Sequence, residues 1–107
     1  MVRISVQPEL QDEWRPVLER QLNLTLGRLR DQLSSLRVRF AATPVPRGEA
    51  TVYRCELRGR TVRGTVYRNT ARSTDGSTAI SDVLARTCRA IARDRQMTRP
   101  DAARRRP

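Results

Sequence analysis

The sequence predicts an α+β fold: a two-layer β-α-β-β-β-α sandwich, with a four-stranded sheet covered on one face by two helices. Three observations predict it. Two stretches carry apolar residues at helical spacing, four carry them in alternation, and prolines and glycines punctuate the joins. Two amphipathic helices and one sheet with an apolar face can bury each other only by packing together. At 107 residues the chain fits one small domain with a modest core.

Met1 to Gln7 alternates, with Val2, Ile4 and Val6 against Arg3, Ser5 and Gln7. This is the pattern of a half-buried strand, and Pro8 ends it. From 9 to 36, Leu10, Trp14, Leu18, Leu22, Leu26, Leu29, Leu33 and Leu36 advance by three or four, which predicts one long amphipathic helix. Pro16 complicates its start. Either the helix proper begins near Asp12 to Arg15, or an initial turn at Pro8 is kinked at Pro16. Leu24 lies off the stripe and is expected to be exposed. Gly27 weakens the middle by up to about 1 kcal/mol relative to Ala.

Arg37 to Ala42 alternates again and predicts a second strand, with Phe40 in the core alongside Trp14. Thr43 to Gly48, TPVPRG, is a loop. Thr51 to Arg58 is a third strand, with Tyr53, Cys55 and Leu57 facing inward. Gly59 and Arg60 are expected to turn the chain. Thr61 to Asn69 then forms the fourth strand, with Val62, Gly64 and Val66 inward. The second to fourth strands form a meander, and the first lies beside the second through the long helix. The open sheet face is expected to show Arg3, Arg37, Arg39, Arg54, Arg58 and Arg63.

Asp75 to Arg95 predicts the second helix. Ile80, Val83, Leu84, Thr87 and Ile91 form its apolar stripe, and Asp75 or Ser77 caps it. Another face carries Asp82, Arg86, Arg89 and Arg93. After Gln96 the pattern stops, and Met97 to Pro107 reads as a disordered basic tail. That leaves 1–96 as a single α+β domain.

The charge points to the partner. There are 22 basic residues, all of them Arg, against 11 acids, for a net charge of +11. Residues 1–50 carry 8 Arg and 6 acids, whereas residues 51–107 carry 14 Arg and 5 acids. A basic half of that strength implies an anionic partner. His is absent, so the usual general base and a Ser-His-Asp arrangement are unavailable. Gly59 and Gly64 are too isolated to cradle a nucleotide. Cys55 and Cys88 have no metal-ligand spacing and read as reduced, core-packed thiols. An enzymatic role, a cofactor and a small-molecule substrate are not expected. Neither is a membrane span or a leader segment, so the expected location is cytoplasmic.

Arg86, Arg89 and Arg93 form a ridge whose steps of about 5–6 Å suit successive phosphates. The bland alternative is a solvated helix face paired with Asp82. Arg28 and Arg30 can extend the ridge, although nearby acids can neutralise them. Arg47, at the tip of the TPVPRG loop, is a separate candidate contact. The sheet arginines are either functional or charged guards on an exposed sheet face. The four aromatics are too few, and too much on core stripes, for a module that stacks splayed bases. Recognition of nucleic-acid backbone and shape is expected instead, with strong salt dependence.

Three stretches resemble a known family. These are LNLTLGRL at 22–29, Pro46-Arg47-Gly48 followed by Cys55, and TAISDVLARTCRAIAR at 78–93. In their order they resemble the ribosome hibernation-promoting factor and ribosome-associated inhibitor family, over residues 2–96, in its short form. The resemblance implies a ribosome-associated domain that binds rRNA of the small ribosomal subunit, in the channel for mRNA and tRNA. There it would inhibit translation and stabilise idle ribosomes under stress or in stationary phase. It carries over to Arg86, Arg89 and Arg93, and further to Arg28 and Arg30. The short form implies no ribosome pairing through an additional domain, and a monomer is favoured. Departures from the family pattern are Arg in place of its lysines, Pro16, and Pro44-Val45-Pro46 where one branch has Asn-Gly-Pro. Two other readings compete: a general double-stranded RNA-binding module, whose usual fold begins with a helix, and a non-RNA module docking an acidic protein.

Overall fold

Alternation at the N-terminus gives strand β1 (Val2–Val6), and a 3-10 turn at Pro8–Leu10 leads into helix α1 (Gln11–Leu26). A 3-10 stretch, Gly27–Gln32, then passes to β2 (Leu33–Thr43), β3 (Val52–Thr61), β4 (Val66–Ser73) and helix α2 (Gly76–Arg104). The structure, a computed structural model, describes residues 2–43, 46 and 48–104, with the backbone alone described at 28, 30 and 95–104. The sheet order is β1-β2-β3-β4, with β1 parallel to β2 and the other pairs antiparallel. This is the expected α+β fold, a four-stranded mixed sheet with two helices in β-α-β-β-β-α order.

One face of the sheet is covered. Leu18, Leu22 and Leu26 of α1 and Ala79, Ile80, Val83 and Leu84 of α2 pack on Val6, Val38, Phe40, Cys55, Leu57 and Ala71. Leu24, off the stripe, is 74% exposed. Trp14 meets Phe40 and Tyr53 with ring centroids 5.3 Å away in each case, at the favourable tilted geometry of aromatic pairs. Gly76 lies against the same indole. A Cβ there would stand 2.6 Å from its Cη2 atom, so α2 can begin this close to α1 only with glycine. The Asp75 carboxylate accepts from the Ser77 amide at 3.0 Å and from the Thr78 hydroxyl at 3.0 Å, which makes Asp75 the cap. Thr87 is fully buried, but its hydroxyl donates to Val83 O at 2.8 Å and accepts from Asn69 at 3.0 Å, tying α2 to β4.

The long helix is shorter than its leucine spacing predicts. Residues 33–36 belong to β2, not to the helix. A bulge between Leu33 and Ser35 explains how one pattern served two structures. The extra residue, Ser34, donates to the carbonyls of Arg60 and Thr61 and lets the strand keep both leucines on one side. Gly59 lies opposite them in β3, where a Cβ would meet Leu36 at 3.6 Å and Leu33 at 3.7 Å, ordinary van der Waals contact. At the other end a 3-10 turn at Pro8–Leu10 precedes α1, which begins at Gln11, close to the expected Asp12, and holds Pro16 inside it.

Gly59 therefore packs and does not turn. The hairpin is made by residues 62–65, where Gly64 takes φ +94 and the Thr61 amide donates to Thr65 O at 2.9 Å. This moves the fourth strand along and reverses its faces. Tyr67, Asn69 and Ala71 face the helices, whereas Val62 and Val66, expected inward, are 68% and 43% exposed. The backbone of α2 runs to Arg104. Positions 105–107 lie outside the described residues.

Candidate nucleic-acid interface

Helical periodicity puts Asp82, Arg86, Arg89 and Arg93 together on the exposed flank of α2, as expected from the sequence. Their situations differ. Arg86 donates from Nη1 to the carbonyl of Thr70 on β4 at 2.8 Å, so it is partly committed to the sheet edge. Arg89 and Arg93 are exposed and make no ion pair with any described residue. Asp82, the expected partner, pairs with none of the three. Nearby, the Tyr67 hydroxyl donates to the Asp94 carboxylate. Burial, then that bond and the adjacent negative charge, push the Tyr67 pKa up to about 12. Arg28 and Arg30 fall in the 3-10 stretch beyond α1, and their side chains lie outside the described set. Arg47 lies outside the described residues altogether.

The uncovered face of the sheet holds a second basic surface. Strand alternation sends Arg3, Arg37, Arg39, Arg54, Arg58, Arg60, Arg68 and Arg72 to this side, with Glu56 as its one carboxylate among the described residues. Arg63, expected there, lies in the hairpin turn instead. Glu56 is taken by an ion pair with Arg54. The register then aligns Arg3 with Arg37, Arg37 with Arg58, and Arg58 with Arg68. One arginine from each strand stands in a single row, spanning about 14 Å at normal strand separation. A hollow of about 240 Å³ beside the row is lined by Arg3, Arg37, Arg58 and Arg60 together with Ser35, Leu36 and Val66.

Sequence reasoning missed Arg60, Arg68 and Arg72 because it placed the turn at Gly59. A signal for the right turn was present. Taking Gly64 as the turn residue would have sent Arg68, Thr70 and Arg72 outward by simple alternation.

The remaining chemistry is quiet. Cys55 and Cys88 are free thiols. Burial, followed by the charge of Glu56, pushes Cys55 up to about 12, and burial raises Cys88. Neither is a thiolate nucleophile at neutral pH. Among the described residues no group of His, Cys, Asp and Glu is placed to hold a metal ion. No helix among them is long and apolar enough to cross a membrane.

No protein-family model matches the chain, and no curated protein matches its sequence. Solved structures do match its shape. A ribosomal subunit interface protein from Coxiella burnetii aligns with TM-score 0.65 at 13% identity, covering 89% of this chain and 97% of that one. The N-terminal domain of Thermus thermophilus Protein Y aligns with TM-score 0.59 at 18% identity, covering 85% and 93%. Over most of its length, then, this arginine-rich chain has the fold of a ribosomal subunit interface protein and of the Protein Y N-terminal domain.

Proposed function

We propose that the protein binds the small ribosomal subunit through rRNA phosphates, in the channel that otherwise holds mRNA and tRNA. In doing so it inhibits translation and stabilises idle ribosomes. The observation that carries this reading is the pair Arg89 and Arg93, exposed and without an ion-pair partner among the described residues, on a helix packed firmly against the sheet. Such a ridge suits a polyanion, because guanidinium groups bond phosphate in bidentate fashion. The fold likeness to a ribosomal subunit interface protein supports rRNA over other polyanions in this reading. The protein acts by occupancy, without a chemical step, and a cytoplasmic location follows from the partner.

Backbone recognition fits the placement of the aromatics. Trp14 of α1 packs on Phe40 and Tyr53 of the sheet's covered face, so the three rings engage one another and are not displayed for splayed bases. Co-sedimentation with purified small subunits across a salt series tests the proposal. Stable association at moderate salt is expected, with displacement by tRNA and loss in the variant R86A/R89A/R93A. Equal binding to any duplex RNA would favour a general double-stranded RNA-binding module, and absence of binding to ribosomes and RNA alike would overturn both.

A further inference from the structure

The geometry points to the open face of the sheet as a second phosphate-binding surface, one that takes the backbone of duplex RNA along the row Arg3, Arg37, Arg58 and Arg68. The inference rests on the reading that the partner is RNA, but it concerns a different face and different residues.

The row is costly to the fold. Like charges directly opposite each other on neighbouring strands are destabilising, and here three successive cross-strand pairs are Arg against Arg. Packing does not demand these residues, because all four are exposed. Guarding the face against association does not demand them either, since acids and bases in alternation would serve without repulsion. A sequence that breaks a local rule without compensation inside the fold does so where something outside the fold compensates. None of the four has an ion-pair partner among the described residues. The missing counter-charges are supplied by the ligand.

The form of the ligand follows from what the face lacks. All its arginines come from strands, at spacings fixed by the sheet, and the aromatic side chains of β2, β3 and β4 point the other way, towards the helices. Without a stacking platform the face has no means of holding unstacked bases. A row of guanidinium groups mounted on the sheet instead suits a regular phosphate backbone, with the arginine-lined hollow beside it as a seat for one phosphate. At the β4 edge this surface meets the ridge on α2. Arg86 bonds the carbonyl of Thr70, which lies between Arg68 and Arg72.

Fluorescence anisotropy with the full chain tests this, using a labelled RNA hairpin, a single-stranded RNA of equal length, and poly-L-glutamate as competitor. The variant Arg37→Gln/Arg58→Gln/Arg68→Gln is expected to bind the hairpin at least about tenfold more weakly near physiological salt. Its log-log salt slope should flatten by about two to three, at roughly 0.9 for each phosphate that is no longer neutralised. Arg58→Gln alone is expected to move both readouts in the same direction by a smaller amount, and Arg58→Lys to restore most of the slope. The same measurements on R86Q/R89Q/R93Q report on α2 separately. If the sheet variants keep wild-type affinity and slope while the α2 variant loses them, the second surface is overturned and the α2 reading stands. If wild type prefers the single strand, or yields to poly-L-glutamate before duplex RNA, the assignment to duplex RNA is overturned. If wild type binds none of the RNA probes, both readings fall.

Discussion

The two faces of the sheet are built from the same strands and differ in every residue that matters. In β3, Cys55 and Leu57 face the helices and are buried, while Arg54, Glu56 and Arg58 face outward. In β2, Leu36, Val38 and Phe40 alternate with Arg37 and Arg39 in the same way. A period of two residues thus sorts one stretch of chain into an oil-like layer and a polycation. On the covered face each side chain is held by its neighbours, so its identity is explained by stability. Along the row of Arg3, Arg37, Arg58 and Arg68 on the open face neighbours repel, so stability does not explain these arginines.

Substitutions on the two faces should therefore differ in size and in sign. Phe40→Ala removes a ring that touches both Trp14 and Tyr53, and leaves a cavity under both helices. We expect a loss of about 3–5 kcal/mol, measured by urea unfolding, enough to unfold many domains of this size. A loss below about 1 kcal/mol, the scale of a minor core trim, would mean that the aromatic trio is not the hub of the covered face.

Alkali gives an intermediate effect, again from the covered side. The Cys55 thiol is held at about 12 against its ordinary value of 9.0, chiefly by burial. A group whose folded pKa lies above its unfolded one stabilises below the unfolded value and ceases to do so as pH rises through the folded one. Stability should then decline between about pH 9 and pH 12, by up to about 1.4 kcal/mol per pH unit from this thiol. Cys55→Ala should flatten that part of the decline, and an unchanged slope in chemical unfolding across this alkaline range would refute it.

On the open face, Arg58→Gln is expected to stabilise the fold by a few tenths of a kcal/mol, because Arg58 stands between Arg37 and Arg68. The gain should shrink as salt screens the repulsion. Thermal unfolding at low and high ionic strength checks both points. A destabilising outcome would erase the contrast between the faces.

The sequence revealed most readily what depends on local period. The order of elements, the apolar stripe of α2 and the Arg86, Arg89 and Arg93 ridge all follow from spacing alone. What it hid depends on the meeting of distant segments. Leu33 and Leu36 keep helical spacing inside a strand, because a bulge against Thr61 and Arg60 restores their common side. Gly59 and Gly64 look alike as turn residues, but only Gly64 takes a positive φ, while Gly59 pairs with Leu36 and Tyr67 inside the sheet. The arginine row could not be read earlier for the same reason. Four residues from four strands become neighbours only when the register of every pair is known.

The hydrogen bonds of Arg15 and Arg86 bear on how the protein can be handled. Arg15 donates to the carbonyl of Ile4 on one outer strand at 3.5 Å, and Arg86 to the carbonyl of Thr70 on the other at 2.8 Å. Each outer strand thus has one carbonyl engaged by an arginine, which hinders further strands joining the sheet at that point, a route to fibrils in many proteins. Replacing Arg86 would therefore release an edge as well as subtract a charge, and the altered protein would be open to self-assembly at high concentration. Light scattering belongs beside every binding measurement on such a variant, and the pair Arg89 and Arg93 offers the cleaner perturbation.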